Sequence, residues 1–250
     1  MPAIHTLHLD RPILELDAAY VQGRAHLVGH TDTELVGQAA SVIGIGHHWN
    51  AERFAKFPDL RVISRMGIGY DNVDLDAARA AGVVVCNGPD SPTVSTAEHA
   101  VMLLLAVTKE LPIQQARAAE GIGGPAVASS LELDGATLGL VGLGRIGVRV
   151  ARAALGLGMR VIASDPGIEQ SPIDDVELVG LDELFATSHV ISLHAPSTPA
   201  TRHMINADSI ASMRRGVYLV NCARGPLIDQ DALVAAIDSA HVAGAALDVT

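Results

Sequence analysis

The chain has 250 residues, 49% of them hydrophobic and 18% charged, with a net charge of −11 from 17 basic and 28 acidic side chains. That length can bury one large core or two small ones, and the composition suits an α/β protein with a buried parallel sheet. The acidic balance argues against nucleic acid or an anionic membrane as a partner, because either needs a basic face.

Short strands and helices alternate from the start. Strands are expected at Ile4–Leu9, Ala25–Val28, Ser41–Ile45, Arg61–Ser64 and Val83–Cys86, with helices at Asp17–Gln22, Asp32–Ala40, Ala51–Phe57 and Leu75–Ala81. Asp32 and Asn50 read as N-caps and Gly82 as the glycine just past a helix end. Such alternation makes a doubly wound parallel sheet, so residues 1–95 are expected to form a small α/β domain of their own. Thr96–Glu110 is the longest helical pattern, with Ser95 as its cap. Pro112 and the Gly121–Gly124 cluster, ending in Pro125, break the helical pattern after Glu110. The reading is a helix crossing between domains, then a looser return to Asp134, so that the second domain spans 96–250.

That domain opens with TLGLVGLGRIGVRVARAALGLGMRVIASD, Thr137 to Asp165. An apolar run, Leu138–Leu143, leads into Gly142, Gly144 and Gly147 in G-x-G-x-x-G spacing, then a helical pattern, then the apolar run Arg160–Ala163 and Asp165. Gly142 permits the tight turn, Gly144 lets a pyrophosphate approach the backbone, and Gly147 lets helix and strand pack closely. The helix starting near Arg145 offers unpaired N–H groups and a positive dipole end to phosphates. Asp165 can accept two hydrogen bonds from a ribose diol and would repel a 2′-phosphate, so NAD is favoured over NADP. The alternation continues through helix Asp182–Ala186, strand His189–Leu193, helix Ala207–Met213, strand Val217–Asn221, helix Gln230–Ser239 capped by Asp229, and strand Val242–Val249.

Three further stretches carry polar residues at strand ends. Ser64–Asp74 (SRMGIGYDNVD) is a glycine-rich loop that either turns backbone N–H groups toward an anion or is a plain strand-to-helix turn. His189–Thr198 (HVISLHAPST) is a strand running into a polar loop and carries His194, a structural histidine or a functional one. Val220–Pro226 (VNCARGP) sets Arg224 at the end of an apolar strand, where open α/β sheets bind ligands and where an arginine suits a planar carboxylate. No Cys-His motif makes a nucleophile of Cys222, which reads as packing beside a cofactor. His47, His48 and Trp49 read as pocket, surface or packing residues. No pattern of metal ligands stands out. No apolar run reaches the ~20 residues of a membrane helix. The N-terminus has neither a basic start nor a signal-type apolar block. Two cysteines in separate apolar runs, Cys86 and Cys222, point to a reducing cytoplasm.

Together with LVGLGRIG, these stretches resemble the D-isomer-specific 2-hydroxyacid dehydrogenase family, especially its phosphoglycerate and glyoxylate/hydroxypyruvate reductase branches. The resemblance is highly specific from Arg65 onward and looser before it. It implies two Rossmann-like domains with the active site in the cleft between them. It implies an NAD-dependent enzyme reducing a small 2-oxo acid, reversibly, to the D-2-hydroxy acid. The backbone around Met66, Gly67, Ile68 and Gly69 would hold the substrate carboxylate. Arg224 would bind the carboxylate and polarise the 2-oxo group. Arg145 and Ile146 would meet the pyrophosphate and Asp165 the ribose. Thr96, His194 and Thr198 would line the cofactor cleft, and Asp248 would reach the nicotinamide carboxamide.

Family members continue past the Leu-Asp-Val stretch to a Glu-Pro and then to a histidine that pairs with that Glu as general acid/base. This chain ends at Thr250, before both, so a fragment of a longer enzyme is expected, its C-terminal part missing. An absent acid would cost about 10²–10⁴-fold, since hydride transfer leaves an alkoxide until a proton arrives. A redox-sensing, NAD(H)-binding co-repressor of the same fold is the alternative class; the acidic balance and lack of a basic tail do not favour it. The resemblance also implies a C₂ homodimer through the long helix, whose apolar run Met102–Leu105 is wider than one buried stripe requires.

Overall fold

The computed structural model describes residues 5–10, 12–29, 38–44, 46–123 and 130–250. It divides into two compact units, Met1–Pro92 and Thr93–Thr250. In the first, β1 (His5–Leu9), β2 (Ala25–Val28), β3 (Ser41–Gly44), β4 (Val62–Arg65) and β5 (Val84–Cys86) form a parallel sheet in the order β2-β1-β3-β4-β5. Helices α1 (Glu15–Val21), α2 (Ala51–Ala55) and α3 (Leu75–Ala80) connect them.

Asn50 caps α2, its Oδ1 accepting the Arg53 N–H at 3.0 Å, and Gly82 follows α3 at φ +68°. Asp74, directly before α3, caps it by accepting the N–H groups of Asp76 and Ala77. Trp49 is a core residue, 1% exposed, with its ring centroid 5.4 Å from that of Phe54 and 5.0 Å from that of Phe57. His47 and His48 are exposed. The helix expected at Asp32–Ala40 lies, up to residue 37, outside the described residues, as do Ile4, Ile45, Gly124 and Pro125.

The second unit begins with α4 (Thr93–Thr108) and α5 (Leu111–Ala119). Helix α4 starts three residues earlier than the pattern suggested, so Ser95 lies inside its first turn and is not the cap. Pro92, with no N–H to satisfy and φ already fixed, allows the helix to begin directly after it. Pro112 is likewise a correction: it does not break a helix but sits in the first turn of α5, where its missing N–H is not needed. The break falls at Glu110, whose φ of 52° is left-handed.

Six strands follow: β6 (Thr137–Val141), β7 (Arg160–Ser164), β8 (Val176–Leu178), β9 (Val190–Leu193), β10 (Val217–Asn221) and β11 (Val242–Leu247). All neighbours are parallel, in the order β11-β10-β9-β6-β7-β8. Helices α6 (Arg145–Gly156), α7 (Leu181–Thr187), α8 (Ala207–Ser212) and α9 (Gln230–Asp238) join them. Alternate residues serve two cores, as a strand buried on both faces requires. Val161, Ala163, Tyr218 and Val220 join the core that includes α4 and α6 residues, whereas Ile162, Val217 and Leu219 join the one that includes α7, α8 and α9 residues. Strand order reverses between β6 and β9, which puts the ligand-binding position of an open α/β sheet at their carboxyl ends.

Candidate functional site

The glycine turn lies at that switch point. All five residues of β6 are buried, and the chain leaves the strand through Gly142 at φ +97°. A side chain there would also meet the His194 carbonyl, its Cβ falling 2.9 Å from the oxygen. Gly144 is the N-cap of α6, and no side chain caps that helix, so its first N–H groups remain for a ligand. Space above Gly144 is open: an added Cβ would meet nothing within 4 Å. A Cβ on Gly147 would instead collide with the Gly142 carbonyl, so only glycine lets α6 come this close to the turn. Arg145 and Ile146 form the first turn of α6, Arg145 exposed and Ile146 half-buried.

Asp165 follows β7, the strand beside β6. Its Oδ2 accepts the Leu143 N–H at 2.8 Å and its Oδ1 the Gly167 N–H at 2.9 Å. The carboxylate is thus held in place by the turn it serves, while each oxygen keeps a second lone pair for a ligand.

His194 follows β9. Its N–H donates to the Val141 carbonyl at 2.8 Å, and its Nε2 lies 2.9 Å from the Ser192 hydroxyl. Part of the residue reaches the surface, but the ring is deep enough that burial pulls its pKa down to about 4. The imidazole is neutral at pH 7. Thr198 is exposed and organises a turn, its N–H donating to Thr201 Oγ1 at 2.8 Å.

The carboxyl ends of β10 and β11 bring a second group together. Asn221, fully buried, donates from Nδ2 to the Arg224 carbonyl at 2.8 Å and accepts the Ala223 N–H at 2.9 Å. This fixes the turn that carries Arg224, which is half-buried and donates from Nη1 to the Ala223 carbonyl at 2.6 Å. Cys222 is 8% exposed, and burial, then the Asp248 charge, raises its thiol to about 11. A thiol that does not ionise near neutral pH is no nucleophile. The Asp248 N–H donates to the Asn221 carbonyl at 2.9 Å, and its Oδ1 lies 3.1 Å from His99 Nε2 on α4. Thr96 lies one turn earlier on that helix. Sequence reasoning misses His99, since only tertiary structure sets α4 beside the end of β11.

Met66, Gly67, Ile68 and Gly69 belong to the first unit, directly after β4. Three carbonyls of this loop are engaged: Gly67 by the Gly88 N–H (3.1 Å), Ile68 by Asn87 Nδ2 (2.9 Å) and Gly69 by Arg65 Nε (3.2 Å). Among the described residues nothing accepts from the N–H groups of Gly67, Ile68 or Gly69. A loop with its carbonyls tied back and its N–H groups unengaged can take an anion. Among the described residues no three His, Cys, Asp or Glu side chains gather as metal ligands, and no helix is long and apolar enough to cross a membrane.

Residues 101–250 match the model of the D-isomer specific 2-hydroxyacid dehydrogenase NAD binding domain. The chain is 42% identical over 224 residues to a D-3-phosphoglycerate dehydrogenase of Mycobacterium tuberculosis, covering 89% of this chain and 41% of that protein. It therefore spans about two fifths of the length of such curated relatives. Among solved structures it is similar to D-lactate dehydrogenase from Aquifex aeolicus in complex with NAD and lactic acid (TM-score 0.89, 31% identity, 98% of this chain and 77% of that one). It is similar also to a glyoxylate reductase from Paecilomyes thermophila (TM-score 0.88, 29% identity, 100% of this chain and 82% of that one).

Proposed function

Because the chain belongs to the D-isomer specific 2-hydroxyacid dehydrogenase family, we propose that it moves a hydride between NADH and the C2 carbon of a small 2-oxo acid, yielding the D-2-hydroxy acid. Residues 1–92 take the substrate and residues 93–250, including α4, the cofactor. The observation that carries the reading is Asp165, a carboxylate bonded to the backbone of the glycine turn at the end of β7. The uncapped start of α6 and the open space over Gly144 fit a pyrophosphate, and the carboxylate beyond them fits the ribose diol of NAD. When bound, the nicotinamide supplies or accepts the hydride.

The protein's own groups bind and orient. N–H groups of the Met66–Gly69 loop hold the substrate carboxylate. Arg224 offers a planar fork of donors to the carboxylate and to the 2-oxo oxygen, stabilising the negative charge that grows there as hydride adds. Thr96, His194, Thr198 and Cys222 line the cofactor site, and Asp248 accepts from the nicotinamide carboxamide. His194, neutral and bonded to Ser192, holds no extra proton to give at pH 7 and is a wall of the site, not its acid. The 42% identity to phosphoglycerate dehydrogenases supports 3-phosphohydroxypyruvate as one substrate to try, beside glyoxylate and hydroxypyruvate.

The test is NADH oxidation by the full-length protein against that panel, with fluorescence titrations of NADH and NADPH. NADH is expected to bind at least about tenfold tighter, roughly 1.4 kcal/mol of repulsion between Asp165 and a 2′-phosphate. Equal or reversed affinity would sink the cofactor assignment. Tight NADH binding with no 2-oxo acid turned over would move the protein to the NAD(H)-sensing class.

A further inference from the structure

The contact between His99 and Asp248 joins the first half of α4 to the end of β11, and the rest of the site does not account for it. Backbone geometry fixes where Asp248 leaves the sheet: its N–H is held by the Asn221 carbonyl at 2.9 Å, and α4 packs against both β10 and β11. The side chain then meets Nε2 of His99 through Oδ1 at 3.1 Å. A carboxylate oxygen accepts, so the imidazole Nε2–H is the donor in this contact. Among the described residues no other group hydrogen-bonds to this carboxylate. Asn221 is already committed to Ala223 and Arg224, and the neighbouring Cys222 keeps its thiol proton.

The two side chains are 40% and 48% exposed. A polar contact that open to water adds little to folding stability, so stability is a weak reason for it. A geometric reason is stronger. An aspartate at a strand end can turn its carboxylate about χ2, and an unrestrained one loses that freedom when a ligand arrives. With Oδ1 taken by a residue on a packed helix, Oδ2 keeps one direction before any ligand binds. Thr96, a turn earlier on the same helix, lies in the region assigned above to the cofactor.

We propose that His99 is a positioning residue for the cofactor: it clamps Oδ1 of Asp248 so that Oδ2 is presented to the amide N–H of the nicotinamide carboxamide. The inference rests on the reading of Asp248 given under the proposed function and adds the residue that aims it.

The experiment compares two ligands on the 250-residue protein by calorimetry: NAD⁺, and ADP-ribose, which lacks the nicotinamide. His99→Ala is expected to weaken NAD⁺ roughly three- to tenfold, the cost of ordering one side chain, with ADP-ribose unchanged. His99→Gln, whose amide nitrogen reaches about as far as Nε2, is expected to restore most of the loss, and His99→Asn, too short to reach, is not. The Gln–Asn contrast keeps the test decisive should the alanine variant fold poorly. Asp248→Ala is expected to abolish the preference for NAD⁺ over ADP-ribose. If Asp248→Ala does so while the His99 variants leave the preference intact, the clamp is overturned and the reading of Asp248 stands. If Asp248→Ala leaves the preference intact, the reading of Asp248 fails and the clamp with it. Equal weakening of both ligands by His99→Asn and His99→Gln would mark a structural role and overturn the proposal.

Discussion

His194 shows how a single side chain can be visible in sequence while its job is not. Its place after an apolar strand was legible; its neutrality was not, because that comes from burial, which only the fold supplies. The consequence can be measured. A histidine whose folded pKa is near 4 and whose unfolded pKa is near 6.5 binds fewer protons folded than unfolded between those values. Stability from this group is therefore complete above about pH 6.5 and is lost as pH falls toward 4, by roughly 2–3 kcal/mol at pH 4.5. His194→Gln is expected to remove that component. Urea denaturation at pH 7 and pH 4.5 checks it, and an identical pH dependence in wild type and variant would refute it. Asp165 is the contrasting residue: its interval from the glycines made it readable, and the structure adds the bonds that hold it. Asp248 was readable from its local stretch, whereas His99 was not, because no spacing rule connects a helix to a strand end so far along the chain.

At the scale of the element, the three fingerprint glycines do separable work, and each can be tested against a glycine outside the site. A methyl group on Gly144 meets nothing in the protein, but it would stand where a pyrophosphate approaches. Gly144→Ala is expected to keep its melting temperature within about 2 °C while losing roughly tenfold or more in NADH affinity. Gly147→Ala pushes α6 off the Gly142 carbonyl, so both stability and NADH binding should fall, by about 1–3 kcal/mol in stability. Gly139, in mid-β6, faces the Ser188 hydroxyl and Leu184 of α7. Gly139→Ala should destabilise by a similar amount through overpacking alone. A Gly144→Ala protein that binds NADH normally would contradict the phosphate reading of the turn. The elements themselves were legible where hydrophobic periodicity was strong, as in β6, β9 and β10. It failed for β8, three residues with only Val176 buried, and for α5, where Pro112 starts a helix that a sequence reader takes it to end.

For the whole molecule, repetition of strand and helix made a doubly wound α/β architecture readable, and each unit is a parallel sheet with its own core. Strand order was not readable, because periodicity says which face is buried and nothing about which strand is next to which. Helix α4 carries the remaining consequence. Ala97, Ala100, Leu104 and Thr108 are buried in its own unit, yet Val94 and Met102 are 45% and 49% exposed and Val101, Leu103 and Leu105 are only half-buried. A helix at the surface of a monomer presents a polar outer face, and apolar residues left exposed along one side of it call for a cover. We expect a second copy to cover it, in a C₂ dimer where the same patch meets itself. Val94, Glu98, Met102 and Leu105 follow one another at helical spacing and make a single stripe, with Glu98 the one charge in it. Sedimentation at micromolar concentration should give twice the chain mass. Met102→Glu, which sets a second carboxylate one turn from Glu98, should give a monomer with unchanged far-UV circular dichroism. A wild-type protein that sediments as a monomer, or a variant that stays dimeric, would remove α4 from the interface.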